Sequence, residues 1–94
     1  MGLITDLVTA GDYKNANIKV KGMKNDKVFL IHKSLFGKQE IRLDKSTVAD
    51  IETKSQSNNL AGSEYQVEIR FKNGKRCLAT LTDFTYRALN SSLY

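Results

Sequence analysis

The sequence predicts a mainly β (α+β) domain: six strands in a bent antiparallel sheet or partial barrel, a short N-terminal helix and a C-terminal capping helix. Three observations carry this prediction. Tyr65, Val67, Ile69 and Phe71 alternate strictly with Gln66, Glu68, Arg70 and Lys72, the period of a strand with one buried face. Asn73-Gly74 follows at once and supplies the positive-φ pair that a two-residue hairpin turn needs. Asp83 is a suitable N-cap, and behind it Phe84, Ala88, Leu89 and Leu93 share one flank of a helix.

From the N-terminus, Leu3, Ile4, Leu7 and Val8 have the one-sided spacing of a short helix, with Gly11 placed to end it. So short a helix is not stable alone, so the arm is expected to dock on the domain itself. Ile18 and Val20 then alternate with Asn17, Lys19 and Lys21 in a first strand that stops at Gly22, and Lys24-Asn25-Asp26-Lys27 reads as a turn. Residues 28–31 are continuously apolar, so both faces of that strand want cover, and the N-terminal arm is the expected cover for the second face. Phe36-Gly37-Lys38 turns the chain into a third strand with Ile41 and Leu43 inward. Val48 and Ile51 stand three apart, which predicts a bulge or bend at the start of a fourth strand reaching about Lys54. Residues 55–63 are small and polar apart from Leu60 and Ala61 and read as a loop. The strand of Tyr65 to Phe71 and a sixth over residues 75–81 complete the sheet. The whole is one domain of 94 residues: arm 1–11, sheet 12–82 and helix 83–94. Lys19, Lys21, Lys72 and Lys75 are suited to guard sheet edges against association.

Composition is that of a globular protein, with 40% hydrophobic and 27% charged residues. Cys77 is the single cysteine and can form no internal disulfide, which favours a reducing cytoplasm, and neither a signal peptide nor a membrane-spanning run is legible. The net charge of +5 is unevenly placed: residues 14–38 hold seven lysines against one acid, Asp26. Such a field attracts nucleic acid, anionic lipid or an acidic protein face, and it also serves simply to keep a surface solvated.

Catalytic chemistry has little to work with. One histidine and one cysteine exclude a zinc site built on those ligands, and no glycine-rich phosphate cradle is present, so no cofactor is expected. Cys77 reads as a small buried hydrophobe and His32 as a strand-end surface residue. Asp50 with Glu52, and Glu64 with Glu68, sit at strand spacing on the solvent face, where carboxylates are little perturbed. The last helix offers Arg87 as its only cation, a poor reader of a nucleic-acid groove.

Gly11-Asp12-Tyr13-Lys14-Asn15-Ala16, Phe36-Gly37-Lys38-Gln39-Glu40-Ile41-Arg42-Leu43, Lys45-Ser46-Thr47-Val48 and Phe71-Lys72-Asn73-Gly74-Lys75 resemble small uncharacterised domains of Gram-positive bacteria and their phages. Those domains are in turn similar to bacterial pleckstrin-homology-like domains. The resemblance covers residues 11–94 and rests on turns and strand starts. Many members carry a longer Gly/Ala-rich insert where this chain has residues 55–63. It implies the fold, a phage or mobile-element origin and a binding role, and names no ligand.

The sequence therefore points to a non-enzymatic module that occupies or scaffolds a protein partner, with homo-oligomerisation open. Lys33, Leu35, Phe36 and Lys38 are the candidate partner site, because an apolar pair beside a turn and flanked by lysines is a common interface anchor. The alternative is an anionic-ligand binder, for lipid headgroups or nucleic acid, using the face of residues 19–38, with Lys19, Lys21, Lys24 and Lys27 as its candidate anion site.

Overall fold

The computed structural model describes residues 6–22, 24, 27–59 and 62–94. In chain order these form β1 (Leu7–Gly11), β2 (Asn17–Lys21), β3 (Lys27–Ser34), β4 (Gly37–Arg42), β5 (Val48–Asn59), β6 (Gly62–Phe71), β7 (Arg76–Thr82) and α1 (Asp83–Leu93). The strands make one antiparallel sheet in the order β4-β3-β2-β1-β7-β6-β5. It is not closed, and β4 and β5 are its two edges.

The sheet has seven strands where the sequence suggests six, because residues 7–11 are a strand and not the end of a helix. A short apolar run such as Leu7-Val8 fits either period, and here pairing decides. Val8 donates to Ala16 O (2.8 Å) and Asn15 donates back to Val8 O (2.9 Å), through a tight connection in which Tyr13 and Asn15 adopt positive φ. On the other side Leu7 and Val8 lie opposite Thr80 and Ala79 of β7. Gly11 (φ +86) runs so close to β7 that a Cβ there would stand 2.7 Å from Arg76 O. Leu3 and Ile4 lie outside the described residues. Val8 itself belongs to the core beside Val28 and Leu30 and does not cover the opposite face of β3.

One face of the sheet carries the core. Val8, Ile18, Val28, Leu30, Leu43, Val48, Val67, Ile69, Phe71, Cys77, Ala79 and Leu81 join Ala88, Leu89 and Leu93 of α1 in one buried cluster. The alternation in β6 holds as expected for Val67, Ile69 and Phe71, while Tyr65 is half-buried, stacked on Tyr86 of α1 at 4.0 Å between ring centres. Phe84 does not pack inward: it is 56% exposed, because the buried stripe of α1 runs through Thr85, Ala88, Leu89 and Leu93. The N-cap is Thr82 rather than Asp83, its hydroxyl accepting from Thr85 N–H.

The bulge expected near Val48 is present as a register shift between Val48 and Asp50. A second falls between Thr53 and Ser55, and beyond it residues 55–59 and 62–63 are strand rather than loop, while Leu60 and Ala61 lie outside the described residues. Ser55, Gln56, Ser57 and Asn58 pair with Gln66, Tyr65, Glu64 and Ser63, so β5 continues as a polar strand on β6, and the pair is two-stranded only past Glu64, where the pairing of β6 with β7 ends. Ser55, Gln56, Ser57 and Asn58 are polar and exposed on both faces of β5, so no hydrophobic period announces this stretch. The turn after β6 also differs: Phe71 N–H bonds Lys75 O (2.8 Å) around three residues, and of Asn73 and Gly74 only the glycine has positive φ.

Candidate functional site

β3 and β4 form a hairpin in continuous register from Phe29↔Arg42 to Ser34↔Gly37, which leaves Leu35 and Phe36 alone at the tip. Ser34 shapes this turn, its hydroxyl accepting from Phe36 N–H and donating to Gly37 O, both at 3.3 Å. The two apolar side chains are each 99% exposed. Phe36 therefore does not fold over the core, and directly behind the tip Lys33 stands opposite Lys38.

The core face of this hairpin takes Val28, Leu30 and Ile41, so the odd residues of β3 and the even residues of β4 point to the other face. Three cross-strand rows lie behind the Lys33–Lys38 pair: Asn17, Ile31 and Glu40; then Lys19, Phe29 and Arg42; then Lys21 and Lys27. Ile31 is 6% exposed here and Phe29 is half-buried, so the second apolar face of β3 is covered by neighbours on its own sheet. Lys21 does much of this, its ammonium 5.1 Å from the centre of the Phe29 ring on its way to Glu40 at 3.4 Å. Long lysine stems cover apolar surface well while the charge stays in water.

The surface is strongly cationic. Lys19, Lys21, Lys27, Lys33, Lys38 and Arg42 share it, with Glu40 as the acid among them. Glu40 meets both Lys21 and Lys38 (3.5 Å), and the charge of Lys21 first of all holds its carboxyl below the usual range. Arg42 pairs with Asp44 at 3.2 Å. Lys19, Lys27 and Lys33 have no acidic partner among the described residues. The structure thus brings the candidate partner residues and Lys19, Lys21 and Lys27 onto one hairpin and one face, with Lys24 in the turn beyond. The sequence reading missed Phe29 as part of this surface, although Lys19, Lys21 and Lys27 around a β-aromatic are the signal that could have found it.

The outer face of β5, β6 and β7 is electrically the opposite case. Asp50, Glu52 and Glu68 interleave with Lys54, Arg70 and Arg76, and Arg70 alone bonds all three acids at 2.6–3.2 Å. Glu52 and Glu68 are not the unperturbed solvated groups expected from strand spacing. The Arg70 guanidinium lowers the Glu52 carboxyl and the Lys54 ammonium lowers Glu68, whose side chain is largely covered. A groove of about 520 Å3 crosses this face over Gly11, Leu78 and Arg76, but its charges are already neutralised. A second groove, about 500 Å3, opens beside β4 and is lined by Tyr13, Gln39, Ile41, Thr47, Phe71 and Lys72.

Cys77 is buried in β7, and burial above all, with the Asp12 and Glu68 carboxylates, pushes its thiol up to about 12, far from a nucleophilic thiolate. His32 packs edge-on to Tyr13 at 6.0 Å. Among the described residues no group of three or more His, Cys, Asp or Glu is placed to hold a metal ion, and no helix is long and apolar enough to cross a membrane. Comparison with protein-family models, with curated proteins and with solved structures finds no match for this chain.

Proposed function

We propose that this chain is a non-catalytic interaction module of pleckstrin-homology-like type, working in a reducing cytoplasm, that occupies or scaffolds a protein partner through the β3–β4 hairpin. An open seven-stranded antiparallel sheet with one C-terminal helix on its core supports the type. The observation that carries the site is the full exposure of Leu35 and Phe36 between Lys33 and Lys38. Two large apolar side chains held in water gain nothing for the fold, and burying them against a partner supplies affinity while the lysines steer acidic surfaces toward it. A phage or mobile-element origin stays attached to the resemblance of the turn motifs.

Phe36→Ser tests this. Stability should stay within about 0.5 kcal/mol of the wild type, since the ring touches nothing in the fold. The partner captured by the wild-type chain from its native host should be lost. Retention of that partner would end the proposal. A second reading has its own support in the cationic rows around Phe29: binding of an anionic ligand, lipid headgroup or nucleic acid, by Lys19, Lys21, Lys24 and Lys27. Its affinity would fall steeply with salt, whereas a contact centred on Phe36 would change little.

A further inference from the structure

The two edges of the open sheet are protected differently. β5 carries two register shifts, and bulges of this kind spoil an edge for strand addition. β4 pairs with β3 without interruption from Gly37 to Arg42, contains no proline, and ends at the exposed tip. Its free edge can be read from the ladder. Leu43 N–H bonds Val28 O at 2.8 Å, and hydrogen-bonded pairs alternate along antiparallel strands. Ile41 and Gln39 therefore bond to β3, and the backbone N–H and C=O groups of Lys38, Glu40 and Arg42 point away from the sheet, the Arg42 carbonyl alone of these accepting from the Thr47 hydroxyl.

We infer that the partner of this hairpin is a second copy of the chain, added antiparallel along β4 about a two-fold axis at Gln39. The inference rests on the reading of the β3–β4 hairpin as the contact site and names its occupant. The charge pattern selects both occupant and register. The side chains beside the free edge read Lys38, Glu40, Arg42, plus, minus, plus, so a uniformly acidic strand would meet Glu40 at its centre. A two-fold centred on Glu40 would set Glu40 against Glu40 and Lys38 against Arg42. One centred on Lys38 would set the two Lys38 side chains face to face. One centred on Ile41 would set Glu40 against Arg42 and so draw on the Arg42 carbonyl, which already accepts from the Thr47 hydroxyl. With the axis at Gln39, Lys38 of each copy lies opposite Glu40 of the other, and Phe36 of each lies beside the other's Arg42. All the outward backbone groups from Lys38 to Glu40 find partners, and the exposed ring gains a guanidinium to lie against. The exposed Glu40 pairs within one chain are weak and exchange readily for those across the axis.

Sedimentation equilibrium of the full chain is the test, with Lys38→Glu, Glu40→Lys, the double variant, and an equal mixture of the two single variants. The wild type should show a concentration-dependent monomer–dimer equilibrium. Each single variant places like charges opposite each other twice and should weaken self-association about tenfold or more. The mixture should recover dimer as a heterodimer, and the double variant should recover it alone. These residues are exposed, so the variants fold as the wild type does. A wild type that stays monomeric up to about 1 mM, where even a weak specific contact is populated, overturns the inference. So does a dimer insensitive to the charge exchange. Should Phe36→Ser lose a different captured protein while the wild type is monomeric, the second copy is excluded and the hairpin reading stands.

Discussion

At the scale of single residues, the core positions carry the stability and Cys77 carries the one informative titration. Ile69 is fully buried in the centre of β6, so Ile69→Ala removes packed methyl groups and leaves a cavity. A loss of roughly 2–5 kcal/mol in denaturant unfolding is expected, and a change under half a kilocalorie would show the site unpacked. Cys77 works in the opposite sense to a paired carboxylate. Its folded-state thiol is raised to about 12, so above the ordinary thiol value near 9 the unfolded chain releases a proton that the folded chain retains. Stability therefore falls as pH rises from 9 toward 12, by at most about 1.4 kcal/mol per pH unit. Cys77→Ala should flatten that slope relative to the wild type in urea melts taken at successive pH values. An unchanged slope would assign the alkaline loss to other groups.

At the scale of elements, what was legible in the sequence is what has a period. β6 shows its alternation because Val67, Ile69 and Phe71 are buried on one face only, and β5 betrays its bulge because Val48 and Ile51 are out of step. Residues 55–58 of β5 have no buried side chain, and their strand exists through backbone pairing that leaves no trace in side-chain order. β1 was ambiguous for the opposite reason, a run too short to fix its period, settled by bonds to residues far along the chain. Asp6 belongs to that settlement: its carboxylate accepts from Thr82 N–H at 3.0 Å and from the Thr82 hydroxyl, tying the start of β1 to the cap of α1. Thr82→Ala removes the cap and the hydroxyl part of this tie while keeping the backbone N–H bond to Asp6, and should cost about 1–2 kcal/mol, read by thermal unfolding. The exposed tip at Leu35 and Phe36 was legible as chemistry, an apolar pair among lysines. Its full exposure was not, because that depends on where the β3–β4 register ends.

Two glycines separate backbone preference from close approach at this same scale. Gly74 (φ +91) and Gly11 (φ +86) both occupy the left-handed side of conformational space, but a Cβ on Gly74 meets open space and one on Gly11 meets Arg76 O. Gly74→Ala should therefore cost about 1–2 kcal/mol, the left-handed penalty alone. Gly11→Ala adds a backbone clash at the β1–β7 seam and should cost clearly more. Equal losses would mean that the seam yields freely.

At the scale of the whole molecule, the fold sorts charge into two outer faces that composition alone cannot distinguish. The β5–β7 face interleaves three acids with three cations, whereas the β2–β4 face carries its cations against Glu40. A polyanion sums field over a face, so retention on a sulfated polysaccharide column should depend on where a lysine sits more than on net charge. Lys19→Glu with Lys27→Glu removes two cations that have no acidic partner among the described residues, beside Phe29. Lys72→Glu with Lys75→Glu makes the same change in net charge around the β6–β7 turn, where Lys75 lies 5.1 Å over the Tyr13 ring. The first pair should elute at clearly lower salt than the second, because each removed phosphate- or sulfate-neutralising charge takes about one unit from the salt slope only where the polyanion lies. Equal elution of the two doubles would show that the retention follows net charge, and would remove the β2–β4 face as an anion site while leaving the hairpin contact untouched.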